Sequence, residues 1–443
     1  MSPACNAHSE QRILACQAQR KRLVAALLLF DTELGRHQTS GGPKAPVQDF
    51  SWDEHVQRFS EAQFKLRYRL SFHSFNKLLA ILAPSLAVTN EKQACNCRSG
   101  MPVELPTRLA VALRYFAGGD PLDLMLIYGM SKTMVMRCVW RVVDAIHKHL
   151  DNMHFPIDDV EKLKVLEADF SAASRGGFWR GQVGAIDGVH FRMECPSERD
   201  VPDAQRYHVD RKNSYCLLAM AICDSKRRFT WADIGMAPST HDSTAWSATP
   251  LGMRVEGGDL PYPFFLNGDS AFTVSPSMIT PSNNDPALDD FDFYQSSNRM
   301  AIECAFGILI RRWGVLWRKL RQRFDRRAPL IGALMRLHNF CIDERLIDED
   351  DLPDVHAQFT EVQPDRYCRP PLFDKDGRPV EYLQTAQKDA EGAPPRDRAQ
   401  GKGERFARRD ELVRAVRESG FKRIIDPNLH RTKKRPRGRQ VEY

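Results

Sequence analysis

The sequence predicts an α/β fold, a mixed set of strands with flanking helices, preceded by a helical region. Three observations carry this. From about Gly181, short strand-like runs follow one another: Val183–Ile186, Val189–Glu194, Tyr215–Cys223, Phe229–Ile234 and Pro263–Leu266. Between residues 51 and 150, apolar residues instead recur at helical spacing, and after residue 297 the pattern returns to helix. The expected organisation is an N-terminal segment and linker over 1–50, a helical domain over 51–150, an α/β domain over 180–345, and a low-order basic tail over 346–443.

The linker reading rests on the Gly/Pro cluster at 39–48, which breaks any periodic structure. Phe64, Leu66, Tyr68 and Leu70 alternate with polar residues, which leaves that run open between strand and helix. From Ser71, a cap residue by type, Phe72, Phe75, Leu79 and Leu82 fall at helical spacing. Thr107–Phe116 reads as an apolar helix ended by Gly118-Gly119. Asp120 then caps a short helix beginning at Pro121 and stopping at Gly129. Ser131 caps a longer one, with Val135, Cys138, Val139, Val142 and Ile146 on one face and Lys132, Thr133, Arg137 and Arg141 on the other. A short helix, a Gly-containing turn and a basic-faced helix form a helix-turn-helix signature, and those four residues are candidate DNA contacts. A three-helix bundle with a solvated basic face gives the same pattern. The Tyr215–Cys223 run is too apolar for a surface strand and suits a central one.

Composition narrows the function classes. The chain has 443 residues, 42% hydrophobic and 27% charged, which is globular stock able to bury a large core. Its N-terminal apolar run, Leu23–Phe30, is far too short to span a bilayer, and charged residues interrupt any signal-peptide pattern. An intracellular protein is expected, so the 11 cysteines read as free thiols. Cys95 and Cys97 lack the partners of a zinc site. The charge is unevenly placed: residues 401–443 hold 14 Lys/Arg against 6 Asp/Glu, while the whole chain is only +7. A near-neutral body with a basic tail suits a polyanion partner, and Arg431–Arg439 has the composition of a nuclear localisation patch, so the nucleus is the expected compartment. No Gly-rich phosphate loop suggests a nucleotide enzyme.

Three acids stand out. Asp187 and Asp269 each follow an apolar strand-like run, and Glu303 borders the stripe Ile302, Phe306, Leu309 of a helix-forming segment. A carboxylate beside a buried stripe is costly unless it is paired or binds a metal. Phosphodiester hydrolysis needs an activated water and a stabilised leaving oxygen, and two divalent ions held by a few carboxylates serve both. Taken singly, Asp187-Gly188 could be a hairpin turn, Asp269 a helix cap and Glu303 a surface residue. Their joint pattern is what points to catalysis.

Ala185–His190, Gly268–Phe272 and Ile302–Ile308 resemble the three catalytic blocks of Harbinger-type transposases and their nuclease relatives, a eukaryotic arm of the DDE superfamily endonucleases. Arg211–Tyr215, Cys223-Asp224, His241–Ser243 and Leu337–Phe340 add further resemblance in family order. The second block ends in Ala-Phe where Gly-Tyr is commoner, and Cys304 follows Glu303 where a basic residue is frequent. The resemblance implies a ribonuclease-H-like core, with Asp187 on the first strand, Asp269 after the fourth and Glu303 on a later helix. It also implies Asp187, Asp269 and Glu303 as catalytic metal ligands, Mg²⁺ or Mn²⁺ as cofactor, cleavage at transposon ends with possible strand transfer, and a separate Myb-like DNA-binding partner.

His241 and Asp242 form a second tier, able to assist a metal or phosphate but equally suited to a turn and a cap. Arg211, Lys212, Arg311 and Arg312 join the candidate DNA contacts, the last two within an arginine-rich run interleaved with Trp313 and Trp317. The expected function is a metal-dependent DNA endonuclease or transposase. The competing readings are a DNA-binding or scaffold protein that keeps the fold without catalysis, and a helix-turn-helix regulator with a passenger domain.

Overall fold

The computed structural model describes residues 50–87, 103–174, 177–282, 285–346 and 402–420. The linker, the Cys95/Cys97 pair and the basic run 431–439 lie outside the described residues.

The helical region opens with α1 (Trp52–Gln57), α2 (Glu61–Tyr68) and α3 (Phe72–Leu86), each begun by a serine whose side chain accepts a backbone N–H. Ser60 and Gln63 form a reciprocal capping box, and the ambiguous run is helical as far as Tyr68. Phe64 and Tyr68, four apart, are buried, while Leu66 between them is 65% exposed. Next come α4 (Leu105–Phe116), α5 (Pro121–Ile127) and α6 (Lys132–His149). Asp120 and Ser131 cap α5 and α6 as expected, accepting from Leu122 N at 2.8 Å and Met134 N at 3.3 Å. α7 (Val160–Ala173) leads into the sheet.

The sheet has six strands: β1 (Gln182–Met193), β2 (His208–Val209), β3 (Ser214–Cys223), β4 (Phe229–Met236), β5 (Phe265–Asn267) and β6 (Met278–Ile279). Its order is β2-β3-β1-β5-β6, with β4 also pairing β3. β1, β3 and β4 run antiparallel, whereas β1, β5 and β6 run parallel. This is the mixed, helix-flanked sheet of the ribonuclease-H-like class. The two runs expected on either side of Asp187-Gly188 are one continuous strand, because β3 pairs with every residue from Ala185 to Met193. Asp187-Gly188 is therefore not a turn.

Strand alternation divides the core. Leu217, Ala219 and Ala221 face one side, with Ala185 and Phe191. Leu218, Met220 and Ile222 face the other, against Trp246 of α8 (Asp242–Ser247) and Leu251 and Val255 of α9 (Pro250–Glu256). The first side is covered by α10 (Asp289–Arg312) and α11 (Phe324–Asp343), and its apolar cluster continues unbroken into α1–α6. The helical and sheet regions thus share one core. Asn339 of α11 joins β4 to this core: its side chain accepts from Phe229 N (2.8 Å) and donates to Phe229 O (2.8 Å) and Asn152 O (2.9 Å).

The tail departs from expectation over α12 (Lys402–Ser419). Leu412, Val413 and Val416 make a short stripe at helical spacing that packs on Trp179, Phe265, Ile279 and Phe291. Arg408 donates to the Arg180 carbonyl and pairs with Glu411, so part of the basic character also serves docking. Composition alone hid this stripe, since most residues around it are charged.

Candidate active site

β1 and β5 position the first two acids. The last paired residues of this parallel couple are Ala185 and Asn267. Asp187 and Asp269 each lie two residues beyond that pair, so two strands running the same way deliver both carboxylates to the same end. β1 itself continues past Asp187, held on its other side by β3. Asp187 shares the face of Ala185 and Phe191, on which α10 lies. Asp269 is the fifth-strand acid once the two-residue β2 is counted, and the fourth-strand acid otherwise. Its Oδ1 accepts from Ala271 N (2.9 Å), fixing the turn after β5. Gly268 precedes it because a Cβ there would stand 2.9 Å from Phe272 Cδ2 and 3.2 Å from Met278 Sδ.

α10 supplies the third acid and more. Gln295, Arg299 and Glu303 are four apart, so they line one face of the helix over about 12 Å. Gln295 Nε2 donates to the Gly268 carbonyl (2.6 Å) and to Asn267 Oδ1 (2.7 Å). Asn267 in turn donates to Gln182, which also accepts from Trp179 Nε1 at 2.7 Å. This buried amide chain clamps the peptide leading into Asp269. Arg299 bridges the other two acids, with Nη1 3.2 Å from Asp187 Oδ2 and Nη2 2.5 Å from Glu303 Oε1. β1 and β5 thus bring Asp187 and Asp269 to one end of the sheet, and Arg299 links Glu303 of α10 to Asp187.

Burial pushes the Asp187 carboxyl up to about 7, against the pull of the Arg299 guanidinium. The charges of Asp269 and Glu303 push it further up, and the Gly188 N–H, 2.7 Å from Oδ1, pulls it down. The charges of Asp269 and Glu303 are thus near enough to be felt at Asp187. The donor set is all hard oxygen, which suits Mg²⁺ or Mn²⁺, and Arg299 stands where positive charge is wanted. Among the described residues, no three His, Cys, Asp or Glu side chains converge tightly enough to hold a metal ion as they stand.

His241 and Asp242 divide. His241 is the cap of α8, its Nδ1 accepting from Ser243 N, so its placement matches the structural alternative. Asp242 lies behind Gly188: a Cβ there would stand 3.3 Å from Asp242 Oδ1 and 3.2 Å from Leu218 Cδ1. Gly188 thus leaves room for a carboxylate on the sheet face opposite Asp187.

Residues 186–339 match a family model described as DDE superfamily endonuclease, a span that contains all three acids. The protein named "Protein ALP1-like" from Arabidopsis thaliana is 26% identical over 281 residues, covering 58% of this chain and 66% of that protein. The rat (Rattus norvegicus) protein named "Putative nuclease HARBI1" is 22% identical over 300 residues, covering 65% of this chain and 81% of that protein. The Harbinger-type resemblance read from the acidic blocks is borne out by these matches. No solved structure matches. DDE superfamily endonucleases typically use divalent metals.

Outside the acids, the chain places its basic residues unequally. Lys132, Thr133, Arg137 and Arg141 are all exposed on one face of α6. Lys212 and Arg311 are exposed as well, while the side chain of Arg211 is outside what the structure describes. Arg312 is corrected: it is only 3% exposed, with Nη1 donating to Leu346 O (3.1 Å) and Nη2 to Arg69 O (2.5 Å). Three residues after Leu309, it lies on the buried side of α10 and ties that helix to the helical region. Trp313 is buried and Trp317 is 54% exposed, so the aromatic pair also splits. No helix of the described residues is long and apolar enough to cross a membrane. Sequence reasoning missed Arg299 and Gln295, although their spacing of four and eight residues ahead of Glu303 was a usable signal.

Proposed function

We propose that this chain is a divalent-metal-dependent DNA endonuclease of Harbinger type, with Asp187, Asp269 and Glu303 as its metal-holding carboxylates. The observation that carries the reading is the equivalent placement of Asp187 and Asp269 beyond the Ala185–Asn267 pair, with Glu303 joined to Asp187 through Arg299. When bound, Mg²⁺ or Mn²⁺ would activate water and stabilise the leaving 3′ oxygen. The chain's own residues do the rest. β3 and the Gly188 N–H hold Asp187 in one orientation. The Gln295–Asn267–Gln182 chain holds the Gly268–Asp269 peptide, and α10 carries Glu303 on a rigid helix. DNA ends, including transposon ends, are the proposed substrate, and strand transfer by the new 3′ hydroxyl the proposed second step. The exposed basic face of α6 favours backbone contact with DNA. A Myb-like partner for site recognition and a nuclear site of action belong to the same proposal, the latter on the composition of residues 431–439.

The test is cleavage of DNA carrying the element's inverted ends, with Mg²⁺ or Mn²⁺ and with EDTA. Cleavage is expected with metal only, and is expected to vanish in Asp187→Ala. Equal cleavage by Asp187→Ala, or EDTA-resistant binding without any cleavage, would overturn the proposal.

A further inference from the structure

The reading above uses Arg299 only as the link between Glu303 and Asp187 and gives it no part in metal binding. Its side chain, 17% exposed, sits between Asp187, on β1, and Glu303, on α10. Each carboxylate receives a different nitrogen, so one planar fork spans two elements, which a point charge could not do equally well. Both Asp187 oxygens are engaged: Oδ1 accepts from Gly188 N at 2.7 Å, and Oδ2 from Arg299 at 3.2 Å. A divalent ion needs carboxylate oxygens about 2 Å away. To gain a full share of Asp187 it must compete with Arg299 for Oδ2, and to draw in Glu303 it must compete for Oε1.

Accepting the metal reading proposed above, we infer that Arg299 is the resident counter-cation of the metal-free site, and that a divalent ion binds by displacing its guanidinium from Asp187 and Glu303. Until then Arg299 holds Asp187 and Glu303 together, supplying one positive charge between them. The metal takes over that charge and more, and the guanidinium swings clear. The consequence is a pair of opposite effects from one substitution. Removing Arg299 weakens the metal-free protein, because Asp187 and Glu303 lose their shared partner. The same removal strengthens metal binding, because no competitor must be displaced. An arginine serving only to brace the fold would weaken the protein without tightening the metal.

The experiment compares full-length wild type, Arg299→Met, Arg299→Lys and Asp187→Asn. Melting temperature in EDTA and Mn²⁺ affinity by calorimetry are measured for each. Arg299→Met is expected to melt lower than wild type in EDTA and to bind Mn²⁺ about tenfold tighter, the worth of one charge-assisted hydrogen bond. Arg299→Lys should fall between the two, since an ammonium reaches one carboxylate at a time, and it covers the case in which the methionine variant fails to fold. Unchanged or weaker Mn²⁺ binding in both Arg299 variants, with binding lost in Asp187→Asn, overturns displacement while leaving the metal reading standing. Absence of Mn²⁺ binding in every protein, wild type included, overturns the metal reading and this inference together.

Discussion

A carboxyl lifted to about 7 in the folded protein has a measurable cost. Asp187 titrates near 3.8 when unfolded, so between those two values the unfolded chain releases its proton while the folded one keeps it. The folded state binds more protons across that window, and stability therefore falls as pH rises through it, levelling above about pH 7. The groups responsible all face Asp187: Asp269 from the turn after β5, and Glu303 and the opposing Arg299 from α10. Each pKa unit is about 1.36 kcal/mol, and with half the proton already lost at pH 7 the change between pH 5 and pH 7 is about 2 kcal/mol. Asp187→Asn removes this titration and leaves an amide oxygen that can still accept from Arg299. In EDTA, urea unfolding of wild type and Asp187→Asn at pH 5, 6, 7 and 8 should show a difference that moves in the variant's favour by about 2 kcal/mol up to pH 7 and changes little beyond it. His338 also titrates abnormally, held at about 4 by burial, but it is present in both proteins and cancels in the difference. A difference that does not change with pH would refute the claim that Asp187 is raised by its buried, acid-rich surroundings.

Two further substitutions test the scaffold. Asn339→Ala should lower the unfolding free energy by about 2–4 kcal/mol, because it removes the partner of the buried Phe229 N–H and carbonyl and of the half-buried Asn152 carbonyl; a urea midpoint within error of wild type would contradict this. Leu412→Asp places a charge in the contact with Trp179 and Phe291 and should undock α12. Amide hydrogen exchange over 402–420 would then speed up at least tenfold, whereas unchanged protection would show that α12 is not held by that stripe.

The reading order of the chain shows which physics is local. Helix starts were legible because a cap acts within three residues: Ser71, Asp120 and Ser131 each bond a backbone N–H two or three positions on. The centrality of Tyr215–Cys223 was legible from its lack of polar residues, since a strand paired on both edges and covered on both faces has no solvated side. The three acids were legible as a set through their blocks, as was the buried stripe beside Glu303.

Other features depended on what meets what. That Asp187-Gly188 continues a strand, where a turn was equally consistent with the two residues, is decided by β3 lying alongside. Arg312 and Arg311 are neighbours of the same type, yet one is buried and one exposed because α10 presents them at different angles to the helical region. Leu412, Val413 and Val416 became a docking stripe only because Trp179 and Phe291 offer a surface to receive them. Composition, caps and period set the elements, and the three blocks singled out the acids as candidates. Which oxygen Arg299 holds, and which peptide Gln295 clamps, depends on segments far apart in the chain meeting in space, and that meeting is a property of the packed molecule alone.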